Sequence, residues 1–331
     1  MRLPDYDHAT GRHCGSTSLR NLADYYGWGF DEPTCFGLAS GLGFTFFELP
    51  DPPHKAFIGR PLYLERAFFH TLGIDHVERE GQSWDEAWAD IRELLDDGHP
   101  VMLFADIYYL DYYGTDTHFS PHSLLAVGYD DEGVYLSDSE FEEVQYLPTD
   151  RLQGAMTSNA MVPLQCRYLA VTDPSITTPV EDAVVAATTT MAEYMFAPDE
   201  GRFDPGTLGV QGLAGIQRLV SSMAEWPTLP DPQWTARFAY QNVERRGTGG
   251  GAFRGLQRDF FRTVEHPFGE SVTEEMAAIA EDWTAVGETL KDASESEGPD
   301  YRETVDEVAG DIRTIADREA ALYREILDAD V

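Results

Sequence analysis

Positive charge is scarce in this 331-residue chain. It has 59 acidic and only 23 basic residues, of which two, Lys55 and Lys291, are lysines, and its formal net charge is −36. A surface of this sign repels phosphates, which argues against a nucleic-acid partner. An acidic, lysine-poor surface suits concentrated salt, where the Debye length falls to about 3 Å at 1 M. We therefore expect a halophilic protein, and an acidic protein of an ordinary cytoplasm is the alternative.

Cysteine is also rare, and long apolar runs are missing. The three cysteines, Cys14, Cys35 and Cys166, lie far apart, so neither a disulfide framework nor a Cys-x-x-Cys pair is expected. No stretch approaches 18 apolar residues, and the first residues lack the apolar region of a signal peptide. We expect a cytoplasmic protein with free thiols and no membrane contact.

The pattern of apolar residues divides the chain in two. Continuous apolar runs at 101–105 and 123–129 predict buried strands. After a linker rich in proline and threonine at 173–179, only helical periodicity follows. The sequence therefore predicts an α+β domain over 1–172, with a helix packed on an antiparallel sheet, and an all-helical domain over 180–331.

Cys14 stands where a predicted helix begins. Leu19 and Leu22 follow at helical spacing, and Gly11 and Gly15 bracket the preceding turn. The free N–H groups and the dipole at a helix N-terminus favour thiolate, which lowers the pKa of about 8.5 of a free cysteine. With a histidine base, such a thiol is a nucleophile. A buried thiol without chemistry is the alternative.

A base and an orienting acid come later in the chain. His122 opens one predicted strand, and Asp138 ends the next. A thiol on a helix packed against a sheet that carries the base and the acid, in the order Cys, His, Asp, is the papain-like arrangement. His8, six residues before Cys14, is the predicted donor of an oxyanion hole. The alternatives are a strand-capping role for His122 and a place in an acidic surface for Asp138.

Further residues near these motifs are candidates for substrate binding. Asp106 and Tyr108 follow an apolar strand and suit contact with a basic amine, with a solvated strand end as the alternative. His13 makes the surroundings of the thiol polar and electropositive. Pro121 argues against a helical metal site from His118 and His122, so no metal and no cofactor are predicted.

A glycine-rich segment at 244–254 joins two helical segments of the second half. Arg245, Thr248 and Gly249 lie in it and could cradle a phosphate, such as that of a phosphopantetheine arm. No Walker lysine follows, so the segment is not a P-loop. A tight helix–helix contact is the alternative interpretation.

Several motifs taken together resemble one known family. The motifs are His8-x-x-Gly11-x-His13-Cys14, the glycine-rich segment 36–44 with Gly41 and Gly43, His122, Gly128-Tyr129-Asp130 and Leu136-Ser137-Asp138. They resemble the N-terminal domain of butirosin biosynthesis protein H, with Ala39 where glycine is usual, and Gly41 and Gly43 of the glycine-rich segment are candidates for substrate binding. The stretch 245–254 resembles the helical domain of unknown function that commonly follows.

The resemblance implies a papain-like acyltransferase. In the butirosin case, a protected aminoacyl group moves from an acyl-carrier-protein thioester to an amine of an aminoglycoside. Carried over by position, Cys14 is the acylated nucleophile, His122 the base and Asp138 its orienting acid. The expected partners are an acyl-carrier protein or a small thioester donor, and a small amine acceptor.

Two other functions remain open at this point. A papain-like peptidase or amidase would use the same triad with water as the acceptor. A binding or scaffold protein would keep the fold without the chemistry. The helical half could serve as a lid, as a carrier-docking surface or as the interface of a homodimer.

Overall fold

The computed structural model describes residues 1–61, 63–198 and 209–329, and helices make up much of these ranges. The α-helices in them are α1 (Cys14–Tyr26), α2 (Glu32–Leu38), α3 (Leu64–Leu72), α4 (Trp84–Asp96), α5 (Thr149–Thr157), α6 (Val180–Phe196), α7 (Gly212–Ser222), α8 (Pro232–Glu244), α9 (Arg254–Thr263), α10 (Glu270–Ser294) and α11 (Gly298–Leu327). Short 3-10 turns also occur, at Ile107–Tyr109, Asp111–Tyr113 and Met223–Thr228.

The strands form two antiparallel sheets. They are β1 (Thr45–Glu48), β2 (Lys55–Ile58), β3 (Asp75–Arg79), β4 (Val101–Ala105), β5 (His122–Tyr129), β6 (Gly133–Ser137), β7 (Gln145–Pro148), β8 (Tyr168–Asp173) and β9 (Val210–Gln211). One sheet has six strands in the order β3-β8-β4-β5-β6-β7, and the other has three in the order β2-β1-β9. The α+β class predicted from the sequence is confirmed.

The six-stranded sheet belongs to the first of two compact units, which comprises residues 1–35 and 72–177. All residues of β4 are buried, as expected of a continuous apolar run, and α1, α4 and α5 pack on the central strands. Ala105 pairs with His122, and Leu125 pairs with Ser137. This register places His122 and the residue after β6, Asp138, at the same end of the sheet.

The second unit comprises residues 36–71 and 178–331. Its centre holds Arg254, whose guanidinium donates to both carboxylate oxygens of Glu319 at 2.8 and 3.0 Å; both side chains are fully buried. Trp283 Nε1 and the Tyr323 hydroxyl also donate to Glu319. Such a buried pair is tolerated because hydrogen bonds satisfy the remaining donors and acceptors.

The division differs from the predicted boundaries of 1–172 and 180–331, because residues 36–71 cluster with the C-terminal segment. β1 pairs with β9, and Phe44 packs against Trp283 with ring centroids 6.0 Å apart. Pairing between strands that lie far apart in the chain, such as β1 and β9, leaves no pattern in the sequence of either strand. A two-residue strand such as β9 is also too short to show a periodic pattern of apolar residues. Within the described ranges, no helix is long and apolar enough to cross a membrane.

Candidate active site

Cys14 is the first residue of α1, as predicted; its thiol forms no disulfide, and the residue as a whole is half-buried. His13 caps the helix, with its Nδ1 atom accepting from the backbone N–H of Ser16 at 3.2 Å. The N–H groups of the first helical turn have no acceptor within the helix. The thiol therefore lies at the positive end of α1, beside a backbone N–H that can donate to an oxyanion.

His122 and Asp138 form a buried pair at the end of the sheet. Nε2 of His122 donates to Oδ2 of Asp138 over 3.0 Å, and the two side chains are 5% and 0% exposed. Because Nε2 is engaged with Asp138, Nδ1 is the ring nitrogen left for Cys14, with which His122 shares a side-chain hydrogen bond. The structure thus brings together the three residues predicted as a triad.

The electrostatics of this group favour an ion pair. Burial raises the pKa of the Cys14 thiol, but the charges of His13 and His122 and their hydrogen bonds outweigh it, and the pKa lies well below its ordinary value. Burial lowers the pKa of His122, but Asp138 and Cys14 outweigh it and raise that pKa to about 10. Both directions favour thiolate beside imidazolium, the form in which a cysteine thiol is reactive.

Glu32, which sequence reasoning missed, holds the loop that carries the nucleophile. Its carboxylate accepts from the backbone N–H groups of Arg12 and His13 at 2.9 to 3.0 Å. The hydroxyls of Ser16 and Thr17 donate to Oε1 at 3.0 and 3.1 Å. A carboxylate that accepts several short hydrogen bonds from one loop keeps that loop in a single conformation. Nothing in the spacing of Glu32 from Cys14 marks this role.

His8 does not fit the oxyanion-hole role predicted for it. Its Nε2 donates to the carbonyl oxygen of Phe141, and its Nδ1 lies 2.7 Å from Oγ of Ser137. Both ring nitrogens are therefore occupied. The imidazole instead ties the N-terminal segment to the residues around the end of β6, and a nearby backbone contact from Gly11 N–H to the carbonyl of Ser139 does the same.

Asp106 does not fit the predicted contact with a substrate amine, because it is fully buried and its oxygens are taken. Ser158 Oγ and His118 Nδ1 donate to it at 2.6 and 2.7 Å, and the N–H groups of Tyr108 and Phe119 donate as well. Burial opposes ionisation, but these bonds outweigh it and hold the pKa of Asp106 below its ordinary value. Tyr108 lies with this cluster, its ring stacked on His118 at 4.2 Å.

Gly41 and Gly43 are explained by packing instead of substrate binding. Both are buried. A Cβ atom on Gly41 would lie 2.6 Å from the carbonyl oxygen of Phe36, and one on Gly43 would lie 2.8 Å from Pro61 and Tyr194. Any side chain at either position would clash, so glycine is required for the close approach of the chain.

The segment 244–254 is a packed turn and not a phosphate cradle. The hydroxyl of Thr248 donates to the carbonyl of Val243 at 2.7 Å, and the N–H of Gly251 donates to the Glu244 carboxylate at 3.0 Å. A carboxylate in that position repels phosphate. Arg245 donates to the hydroxyl of Tyr240 at 2.9 Å, and a Cβ on Gly249 would lie 2.6 Å from Leu256. The alternative interpretation, a tight helix contact, is the one that the geometry supports.

The described ranges hold no group of three or more histidine, cysteine and acidic side chains placed to bind a metal ion. What they hold is a thiol at a helix N-terminus against a histidine and an aspartate on an antiparallel sheet, the arrangement of papain-like cysteine enzymes.

Two tyrosines that the sequence analysis did not predict also contact this group. The hydroxyls of Tyr112 and Tyr113 both donate to Asp138. Two adjacent tyrosines carry no distinctive pattern.

Comparison with known families agrees with this class. Residues 13–139 match the model of "Butirosin biosynthesis protein H, N-terminal", and residues 150–326 match that of "Domain of unknown function (DUF4872)". The second match alone spans more than half of the chain. The chain therefore belongs to the DUF4872 family, and its N-terminal part matches the model of butirosin biosynthesis protein H, so the predicted resemblance is confirmed.

Other comparisons add less. None of the curated proteins matches the chain. Among solved structures, the chain is similar to a protein from Bacillus anthracis described as a C39-like peptidase, with 16% sequence identity and a TM-score of 0.37. That similarity covers 52% of this chain and 97% of the other.

Proposed function

We propose that the protein is a cysteine-dependent acyltransferase that moves an acyl group from a thioester to an amine through an acyl-enzyme on Cys14. The observation that carries the proposal is the thiol of Cys14 at the N-terminus of α1, paired with the buried His122–Asp138 couple. The family supports a biosynthetic acyl transfer, since its N-terminal model is that of a butirosin biosynthesis protein.

The first half-reaction forms the acyl-enzyme. The Cys14 thiolate attacks the carbonyl carbon of the donor thioester, and the developing oxyanion is stabilised by backbone N–H groups at the helix N-terminus. The bond from carbon to the donor sulfur then breaks. The leaving thiolate takes the proton of the His122 imidazolium, so the enzyme is left acylated with a neutral histidine.

The second half-reaction returns the enzyme to its starting state. The acceptor amine attacks the acyl carbon while His122 takes a proton from its nitrogen. The bond to Cys14 breaks, the thiolate re-forms, and the product is an amide. Asp138 stabilises the imidazolium that forms and holds the ring in the tautomer that this cycle needs.

The test is intact-mass spectrometry in concentrated salt after incubation with a panel of N-acetylcysteamine and coenzyme A thioesters. We expect an added acyl mass that is absent in Cys14→Ala and retained in the matched control Cys166→Ala. Discharge faster by amines than by water supports the transferase. Discharge by water alone would instead support a papain-like hydrolase, and no adduct together with no alkylation of Cys14 would overturn both.

A further inference from the structure

The segment between β4 and β5 places two phenols against the orienting acid. It turns twice as a 3-10 helix, and the second turn, Asp111–Tyr113, carries both tyrosines. The hydroxyl of Tyr112 donates to Oδ2 of Asp138 at 3.0 Å, and that of Tyr113 donates to Oδ1 at 3.1 Å. The Tyr113 oxygen also lies 3.2 Å from Nε2 of His122. Tyr113 therefore contacts both His122 and Asp138, whereas Tyr112 contacts Asp138.

Tyr112 and His122 share one acceptor atom. Oδ2 of Asp138 lies 3.0 Å from the Tyr112 hydroxyl and 3.0 Å from Nε2 of His122. The backbone N–H of Glu140 donates to the other oxygen at 3.3 Å. Each added donor holds part of the negative charge of the carboxylate and leaves less for the imidazolium. The hydrogen-bond pattern of Asp138 therefore limits how strongly it stabilises charged His122.

Both tyrosine hydroxyls stay protonated, and so remain hydrogen-bond donors, near neutral pH. Burial, followed by the charge of Asp138, raises the pKa of both Tyr112 and Tyr113 far above that of a free tyrosine. The ring of Phe141 meets both tyrosine rings edge-on, with centroids 5.0 Å away in each case. This aromatic packing holds the two hydroxyls in place, and both hydroxyls keep their protons near neutral pH.

We propose that Tyr112 is a positioning residue that lowers the basicity of His122 by donating to Oδ2 of Asp138, the same oxygen that accepts from Nε2 of His122. The proposal rests on the proposed function, in which His122 must release its proton to the leaving thiol and take one back from the amine. A base that holds its proton too tightly is slow in the first of these steps. The groups facing His122 are Cys14 from α1, Asp138 and Glu140 from the segment after β6, and Tyr113.

The test is an NMR titration of the full chain labelled at histidine 13Cε1, between pH 7 and pH 12. The signal of His122 is the one among nine histidines that is lost in His122→Gln. In Tyr112→Phe we expect the midpoint of this signal to rise by about 0.5 to 1 on the pH scale, the equivalent of one hydrogen bond. An unchanged or lowered midpoint would overturn the proposal.

Two further variants make the result decisive. Tyr146→Phe is the matched control, because it removes a phenol that donates to a different carboxylate, Asp130, and the His122 midpoint should stay unchanged. Should Tyr112→Phe fail to fold, 3-fluorotyrosine at position 112, a stronger hydrogen-bond donor of nearly the same shape, tests the same idea, and the midpoint should then fall; an unchanged or raised midpoint would overturn the proposal. Because the titration needs no substrate, its outcome is independent of whether acyl transfer is found.

Discussion

The first compact unit contains two aspartate–histidine pairs, and comparing them shows how the pair in the proposed active site differs from a pair without a neighbouring thiol. Asp138 holds His122 through Nε2 at 3.0 Å, whereas Asp106 holds His118 through Nδ1 at 2.7 Å. The shorter hydrogen bond is the one between Asp106 and His118, which have no cysteine beside them. The length of the hydrogen bond therefore does not show which histidine is the proposed base.

What differs is the environment of the imidazole. The His122 side chain is 5% exposed and hydrogen-bonded to Cys14, while that of His118 is 39% exposed and stacked on Tyr108. Burial makes an ion pair with a nearby thiol strong, because solvent no longer screens it. In the other pair, His118 is one of four hydrogen-bond donors to Asp106, and these hydrogen bonds fix the conformation of the segment after β4. The His122–Asp138 pair thus differs from the other in two respects: a thiol lies beside it, and its histidine is buried.

The largest expected difference comes from removing each histidine. His122→Gln should slow the alkylation of Cys14 by iodoacetamide at pH 6 by roughly ten- to a hundredfold, because the thiolate keeps His13 but loses His122 and its pKa rises. His118→Gln should leave the rate within about twofold of the original protein. Stopped-flow or mass-spectrometric alkylation rates measure both. Equal effects of the two variants would remove the distinction between the pairs.

Removing each carboxylate should separate reactivity from stability. Asp106→Asn leaves buried donors without a charged acceptor, so the free energy of unfolding should fall by about 1 to 3 kcal/mol. The alkylation rate of the folded protein should change little. Asp138→Asn should lower that rate by roughly tenfold, since the imidazolium loses its counter-charge. Urea unfolding in concentrated salt, together with alkylation at pH 6, checks this. A slow rate in Asp106→Asn would contradict it.

The smallest effect is on the pH dependence of stability. Between pH 6.5 and 9, the ordinary values of His and Cys, the folded pair and the unfolded pair each bind one proton, so stability should be flat. Below pH 6.5 the unfolded histidine gains a proton that the folded pair lacks, and stability falls as the pH falls. Above pH 9 the unfolded thiol loses its proton while His122, with a pKa of about 10, keeps its own, so stability falls as the pH rises.

The slope should reach about 1.4 kcal/mol per pH unit on the acid side, and only about half of that between pH 9 and 10, because the unfolded thiol and folded His122 titrate about one pH unit apart. The measurement is the difference in unfolding free energy between the original protein and the double variant Cys14→Ser/His122→Gln, which removes the ion pair and cancels contributions of other groups. A difference that stays constant from pH 5 to pH 10 would contradict the prediction, because it would show that the pair titrates in the folded protein as it does in the unfolded chain. His118→Gln, which keeps the pair, should follow the original protein throughout.

Much of the fold follows from the sequence because its signals are local. The helix at Cys14, the buried run that became β4 and the helical second half all depend on the spacing of apolar residues within one element. The position of Cys14 at a helix start likewise needs only the residues around it. The family match follows from the same motifs.

The site needed the tertiary structure, because partner choice depends on strand register and on which distant side chains share a face. Sequence reasoning paired Cys14 with His122 and Asp138, but it also gave His8 and Asp106 roles that their occupied hydrogen bonds do not allow. It missed Glu32, whose four donors come from residues 15 to 20 positions earlier in the chain.

Composition and local spacing by themselves determined the acidic character, the α+β class and the place of the thiol at the start of a helix. Tertiary structure alone decided that residues 36–71 cluster with the C-terminal segment, that the glycines at 41, 43 and 249 serve packing, and that two tyrosines share the acid with the base. The physical reason is the distance along the chain over which each kind of interaction acts. Periodicity reports which face of an element is buried, whereas the partner of a side chain is set by contacts between segments far apart in the chain.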